Sequence, residues 1–384
     1  MDVVRTIASF YPKITGPAYQ AREISRGLIN RGHRSPILTT NEGVSEEPQR
    51  DEIAGVPVYR FRQFPDGTPY VLVPGLLKRL AETEADLFHA HGYRNFCSDA
   101  AALVGRRRGI PLVVQTHGTL LGYDRIVHDG RTWPYELYDT VTRRHTIRRA
   151  DRIVVSTCQE RQEAREFGVP DDRIEVVPVG KDVKRYQSVP HDPPDEKFRL
   201  LFVGRLDPSR NVEVAIRAME ALPEAVELQV VGGDATRSNA TEESYVERLR
   251  TLARELSVSD RVRFTGPKYD EELVAAYRSA HAFVYTSRYE NFGQTVLEAA
   301  AAGLPVIATP EGVAPDLVEH GETGYLVSYD DPSEVVDAVT ELRDSPHRRM
   351  GRELQEKVRA EYDWGAIVDD YQRIYRDVLN EQPG

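Results

Sequence analysis

Two carboxylates with seven residues between them, Glu290 and Glu298 in RYENFGQTVLEAAAAGLPV (288–306), are the chain's clearest chemical signal. An ionised carboxylate only accepts hydrogen bonds, so each suits paired sugar or ribose hydroxyls. Between them, Asn291, Phe292 and Gly293 precede a helical pattern. The first turn of such a helix offers unpaired N–H groups and the positive end of the helix dipole. Gly293 lacks a Cβ and lets backbone approach a ligand closely. Glu298 falls about five residues into the helix, roughly 7.5 Å along its axis. The helix start then suits phosphate, with a glutamate holding a sugar on either side. The plain alternative is an acidic first turn followed by a solvated helix face.

A second stretch supplies cations. LLFVGRLDPSRN (200–211) places Arg205 directly after an apolar strand and Arg210 near the start of the next helix. Two guanidiniums beside free backbone N–H groups make a pyrophosphate site. On the N-terminal side, Gly16 in FYPKITGPAYQ stands near a helix start, and His117 in QTHG ends a strand and is expected to point into a cleft. There is no G-x-G-x-x-G, which argues against a nicotinamide enzyme. His89 and His91 in HAHG are expected to alternate in direction and have no third ligand, so no metal site is read there.

Strands must carry these residues. Short Val- and Ile-rich runs alternate with amphipathic helical patterns: VVRTIAS, HRSPILTT, VPVYRFR, DLFHAHG, IPLVVQTHG, DRIVVST and IEVVPVG, then LLFVGRL, VELQVVGG, VRFTG, HAFVYTS, PVIAT and GYLV. The order is that of doubly wound parallel sheets buried on both faces. KDVKRYQSVPHDPPDEKFR (181–199) has no period and reads as a linker. The expected organisation is a Rossmann-like domain over 1–185, a second over 196–360, and a helix over 361–384. That helix is expected to pack back across the domain junction through Tyr362, Trp364 and Tyr371. The two domains are expected to face a cleft lined by loops at the carboxyl ends of their strands.

The 384 residues are 40% hydrophobic and 29% charged, with no apolar run of membrane-spanning length. MDVVRTIASFYP has no signal-peptide pattern, and Cys97 and Cys158 give neither a disulfide framework nor zinc spacing. A cytoplasmic protein is expected. Residues 1–190 carry 28 Lys and Arg against 24 Asp and Glu, whereas 191–384 carry 22 against 37. The basic half contains GRRRG (105–109) and TRRHTIRRAD (142–151), with Trp133, Tyr135 and Tyr138 nearby. These suit an anionic membrane surface on the inner face of the cell membrane, or simply a solvated helix face. Nucleic acid is not expected, since the chain is acidic overall and shows no reader motif.

Together these motifs resemble the large retaining glycosyltransferase family 4 of GT-B fold, over nearly the whole chain. The resemblance runs from the Gly16 loop and RGH (31–33) through VVPVGKD to VGRLDPSR and the paired glutamates. It implies transfer of a hexose, with retention, from a nucleoside diphosphate sugar to a saccharide or polyprenyl-phosphate-linked acceptor, without metal or other cofactor. It assigns Glu290, Asn291, Phe292 and Gly293 to the transferred sugar, and Glu298 to the ribose. Arg205 and Arg210 fall to the diphosphate, and Gly16 and His117 to the N-terminal side of the site, which makes the domain over 1–185 acceptor-binding and that over 196–360 nucleotide-sugar-binding. Glu290 and His117 are the residues closest to the chemistry, as positioning and electrostatic groups. The chain departs from the family pattern at Arg210, where the family has Lys, at Asn211, where it has Gly, and at Pro17 and Val179. A nucleotide-sugar epimerase of the same fold and a catalytically inactive sugar-nucleotide-binding protein are the alternatives.

Overall fold

In the computed structural model, the described residues are 1–44, 50–65, 70–118, 120–121, 133–142, 144–187, 193, 196–234, 244–344 and 347–381. The chain forms two compact units, Met1–Gly180 with Trp364–Gly384, and Lys181–Asp363. Each is built on one twisted sheet.

The first unit holds β1 (Val3–Ile7), β2 (Ile37–Thr40), β3 (Arg50–Ile53), β4 (Val56–Phe61), β5 (Leu87–His91), β6 (Leu112–Gln115), β7 (Arg152–Val155) and β8 (Ile174–Val176). Their order is β3-β4-β2-β1-β5-β6-β7-β8, and all pairs are parallel except the β3–β4 hairpin. β3 is the strand that periodicity does not show: RDEI is charged and exposed, as suits an edge that must not pair with other chains. Ala54 and Gly55 both take positive φ in the hairpin turn, which matches the twist of the flanking strands. The inner strands β1, β2, β5 and β6 are buried along their whole length, as a sheet covered on both faces requires.

The second unit holds β9 (Phe198–Val203), β10 (Val226–Val231), β11 (Val262–Phe264), β12 (Ala282–Tyr285), β13 (Val306–Ala308) and β14 (Gly324–Leu326). They form a parallel sheet in the order β11-β10-β9-β12-β13-β14. This is the doubly wound order, and the strand sequence reverses between β9 and β12, where such sheets bind ligands.

The C-terminal helix Trp364–Asn380 is a core element of the first unit. Ile367, Val368, Tyr371, Ile374 and Tyr375 pack with Val3, Leu87, Val113 and Val154 from four strands, and with Ile24 and Leu28 of the helix Gly16–Asn30. Trp364 lies over Gly180, and any Cβ there would stand 2.5 Å from its ring. Tyr362, just before this helix, belongs to the second unit, where its carbonyl accepts the Lys181 N–H at 2.7 Å. Residues 181–187 are also structured rather than linker. Val183–Gln187 is helical, and it buries Val183 and Tyr186 within the second unit. Five residues are too few for a helical period to show in sequence.

Candidate functional site

At the β9/β12 switch point, two loops carry the residues singled out from sequence. After β9 comes Gly204–Asn211, with a short 3-10 turn Pro208–Arg210 capped by Asp207, whose carboxylate accepts the Ser209 N–H at 3.0 Å. After β12 comes Thr286–Gly293, leading into the helix Gln294–Ala301. The loops are tied together: the Arg288 N–H donates to the Ser209 carbonyl at 2.8 Å, and the Thr286 hydroxyl to the Asn211 carbonyl at 2.9 Å.

Arg210 and Glu290 meet here as a direct ion pair. Tyr285, the last residue of β12, donates its hydroxyl to Glu290 at 2.5 Å, and accepts from Arg210 at 2.6 Å. Burial raises the Tyr285 phenol far above its ordinary range, with Glu290 adding to it, so the hydroxyl stays a neutral donor. Burial alone lowers the Arg210 guanidinium, but Tyr285 and Glu290 more than reverse this and hold it charged. Arg210 Nε is buried without a partner among the described residues. Glu290 Oε1 accepts the Asn291 N–H at 3.1 Å, so one amide assigned to a sugar is occupied by the glutamate itself. Phe292 is buried, and its carbonyl accepts the Val313 N–H at 2.7 Å.

Glu298 has a second set of partners. Its Oε1 lies 2.6 Å from Lys181 Nζ, and its Oε2 accepts the Tyr277 hydroxyl at 2.9 Å. Lys181 also donates to Gln294 Oε1 at 3.2 Å. Both glutamates are therefore paired with a cation and a tyrosine hydroxyl. This is not the solvated helix face of the plain reading.

Glycine positions the helix start. Gly293 caps it at φ 89°, in the left-handed region that side chains avoid. A Cβ on Gly293 would meet no atom closer than 3.5 Å, so the requirement is conformational. Gly312 is the tight position: a Cβ there would stand 2.6 Å from the Phe292 carbonyl oxygen and 3.2 Å from Glu290 Cγ. Asn211 takes φ 48°, where Asn is the best substitute for Gly, and its side chain is fixed by the Tyr329 carbonyl at 2.6 Å. That accounts for the departure at this position.

The two arginines differ in setting. Arg210 is 13% exposed, whereas Arg205 is 70% exposed, with a 4.0 Å contact to Asp207 as its ion pair among the described residues. In the first unit, Gly16 begins its helix at an exposed position with open space around it. Thr15 caps that helix by accepting the Ala18 N–H at 3.2 Å, and Pro17 sits in the first turn, where a missing N–H costs no helical bond. His117 follows β6 at φ 54°, an uncommon conformation for a non-glycine residue. His91 Nδ1 lies 3.1 Å from His117 Nε2. The expected alternation of His89 and His91 is wrong. Two residues apart on one strand, they share a face, and their rings stack at 4.4 Å.

Sequence reasoning passed over Lys181, Tyr277, Tyr285 and Gly312. Lys181 in VVPVGKD and Tyr285 in VYTS each follow or end a strand, and Gly312 follows β13. Position after a strand was the available signal for these three. For Tyr277, mid-helix, none was.

The basic segments have mixed uses. Arg108 donates to the Leu80 and Thr83 carbonyls, and Arg144 lies 3.9 Å over the Phe167 ring. Arg106, Thr142, His145, Arg148 and Arg149 line a cavity of about 330 Å³. The adjoining helix Trp133–Thr142 exposes Trp133 (62%), Leu137 (53%) and Val141 (72%), spaced four apart along one face. Arg143 lies outside the described residues. Among the described residues, no helix is long and apolar enough to cross a membrane.

Comparison with known proteins adds the following. The family described as "Glycosyl transferases group 1" matches residues 183–360, and "Glycosyl transferase 4-like domain" matches 15–180. The D-inositol 3-phosphate glycosyltransferase of Corynebacterium glutamicum is 32% identical over 77% of this chain and 72% of its own. That of Acidothermus cellulolyticus is 31% identical over 94% and 85%. The crystal structure of Anabaena HepE in complex with UDP-glucose superposes with a TM-score of 0.70 at 20% identity, covering 98% of this chain and all of that one.

Proposed function

The chain belongs to the group 1 glycosyl transferases, with the GT-B class of fold, and we propose that it moves a hexose from a nucleoside diphosphate sugar with retention at the anomeric carbon. The supporting observation is the helix start at Gly293, which has a paired, partly buried glutamate on each side and, near it, an Arg210 Nε that has no partner among the described residues. In this reading Glu298 holds the ribose, Glu290 the hexose, and the diphosphate lies between. The bond from the anomeric carbon to the diphosphate oxygen breaks. The acceptor hydroxyl oxygen bonds to the same face of that carbon, and its proton passes to the leaving phosphate oxygen. Negative charge grows on the diphosphate, where Arg205, Arg210 and the helix dipole stabilise it. Gly16 and His117 serve the same reaction as hydrogen-bonding groups. No metal or further cofactor takes part.

The test is incubation with a panel of nucleotide sugars, first in water and then with inositol 3-phosphate, free saccharides and polyprenyl-phosphate-linked saccharides. The expected result is transfer to one acceptor, with the product's anomeric configuration, read by NMR, the same as the donor's. An inverted product would overturn retention. Epimerised donor, or binding without turnover across the panel, would overturn transfer.

The acceptor class takes further support from the Trp133, Leu137 and Val141 stripe beside the arginine-lined cavity. An apolar helix face flanked by guanidiniums suits an anionic lipid surface, such as one presenting a polyprenyl phosphate. In this reading the protein is cytoplasmic and peripheral on the inner membrane face. Co-sedimentation with phosphatidylglycerol-containing vesicles is expected. It should weaken with salt, and be lost in Leu137→Asp and in the double substitution Arg148→Ala, Arg149→Ala. Equal binding to neutral phosphatidylcholine vesicles would contradict it.

A further inference from the structure

Among the described residues, the first unit buries a cation with no anion beside it. Arg5 lies mid-strand in β1, fully buried, and its partners among the described residues are Ser35, His89, His91 and Tyr375. None of these is a carboxylate. A guanidinium carries only N–H donors and keeps its proton in a protein, so every ring nitrogen it contacts must accept. Arg5 Nη1 lies 2.5 Å from His89 Nδ1 and 3.3 Å from His91 Nε2, so its two hydrogens serve both rings.

The consequence propagates. Burial, then His89, His117 and Arg5, holds His91 far below its ordinary range, so His91 is neutral. With Nε2 accepting, its one proton is on Nδ1. That nitrogen faces His117 Nε2 at 3.1 Å, which must in turn accept. Burial pulls His117 down to about 3, so it too is neutral. Its proton is then on Nδ1. The rings follow one another in near-parallel stacks, 4.4 Å from His89 to His91 and 5.3 Å from His91 to His117. Tyr375 anchors the far end, accepting from Arg5 Nη2 at 2.9 Å, which makes the C-terminal helix part of the device.

We propose that Arg5 fixes the tautomer of His117 through His91, so that His117 presents an Nδ1–H donor and has no free lone pair with which to act as a base. Arg5, His91 and Tyr375 are positioning residues; His117 alone touches the ligand. What His117 donates to rests on the transfer reaction proposed above, whereas the tautomer does not. A histidine cluster serving only packing would place no requirement on which nitrogen carries the proton.

Long-range nitrogen–proton NMR of the full chain with 15N-labelled histidine reads this directly, without ligand or turnover. At neutral pH, His117 is expected to show a pyrrole-type Nδ1 and a pyridine-type Nε2, with the same assignment for His91. In folded His91→Phe the donor to His117 is gone, and the His117 signals are expected to shift toward a mixture of tautomers. His91→Asn keeps an N–H donor near the Nδ1 position and is expected to restore the wild-type pattern. If transfer is observed, His91→Phe should lower kcat by on the order of tenfold with the donor KM nearly unchanged, and His91→Asn should recover most of it. A proton on His117 Nε2 in the wild type, or wild-type His117 signals in His91→Phe, would overturn the proposal. Neither result bears on whether a hexose is transferred, so the two readings fail separately.

Discussion

Arg210→Ala is expected to lower kcat for hexose transfer by on the order of 10²–10³, the effect of removing one preorganised group from a developing oxyanion. Two losses coincide in this variant. The leaving diphosphate loses a cation whose Nε–H has no partner among the described residues, and Glu290 loses its ion-pair partner while still partly buried. Breaking a buried pair by deleting one member costs about 3–5 kcal/mol. At 13% and 16% exposure this pair lies near that limit, so some loss of stability in the second unit is expected too. Arg210→Lys separates charge from shape. The family pattern has Lys here, and an ammonium at this position can satisfy Glu290 and a phosphate as a point charge. It is expected to retain most of the activity that Arg210→Ala loses. Wild-type turnover in a folded Arg210→Ala variant would remove Arg210 from the reaction.

Glu298→Ala is expected to weaken donor binding by about 1–3 kcal/mol, the usual range for lost charged hydrogen bonds. The structure complicates the single substitution, because it also leaves the Lys181 ammonium without its carboxylate. Lys181→Met and the double variant complete the cycle that isolates the pair. If Glu298 grips the ribose, both variants lacking it lose nucleotide-sugar affinity by calorimetry, whereas Lys181→Met, which frees the carboxylate, binds at least as well as wild type. Unchanged donor affinity in the folded double variant would take Glu298 out of the nucleotide site.

Much of this architecture was legible because buried parallel strands announce themselves. VVRTI, LFHAH and FRLLFV are apolar runs ended by loops; position after a strand then singled out Arg205, Arg210 and Glu290, and spacing from Glu290 singled out Glu298. What stayed hidden had identifiable causes. The charged edge strand RDEI has no apolar period, and Val183–Gln187 is too short to show one. Arg5 reads as an interruption in an apolar strand until the fold brings Tyr375, some 370 residues away, to its guanidinium. The same holds for the partners of the two glutamates. Lys181 and Tyr277 lie 117 and 21 residues from Glu298, so only tertiary structure reveals that this carboxylate is charge-compensated. His89 and His91 were misjudged for a simpler reason: two positions along a strand is one full period.

The measurement that tests the donor grip most directly is a crystal structure with a bound nucleoside diphosphate sugar. The ribose hydroxyls are expected on Glu298 with Lys181 Nζ moved off it. The diphosphate should lie against the first turn of Gln294–Ala301 and Arg210 Nε, with the hexose at Glu290. A diphosphate bound away from the loops Gly204–Asn211 and Thr286–Gly293, with both ion pairs intact, would contradict it.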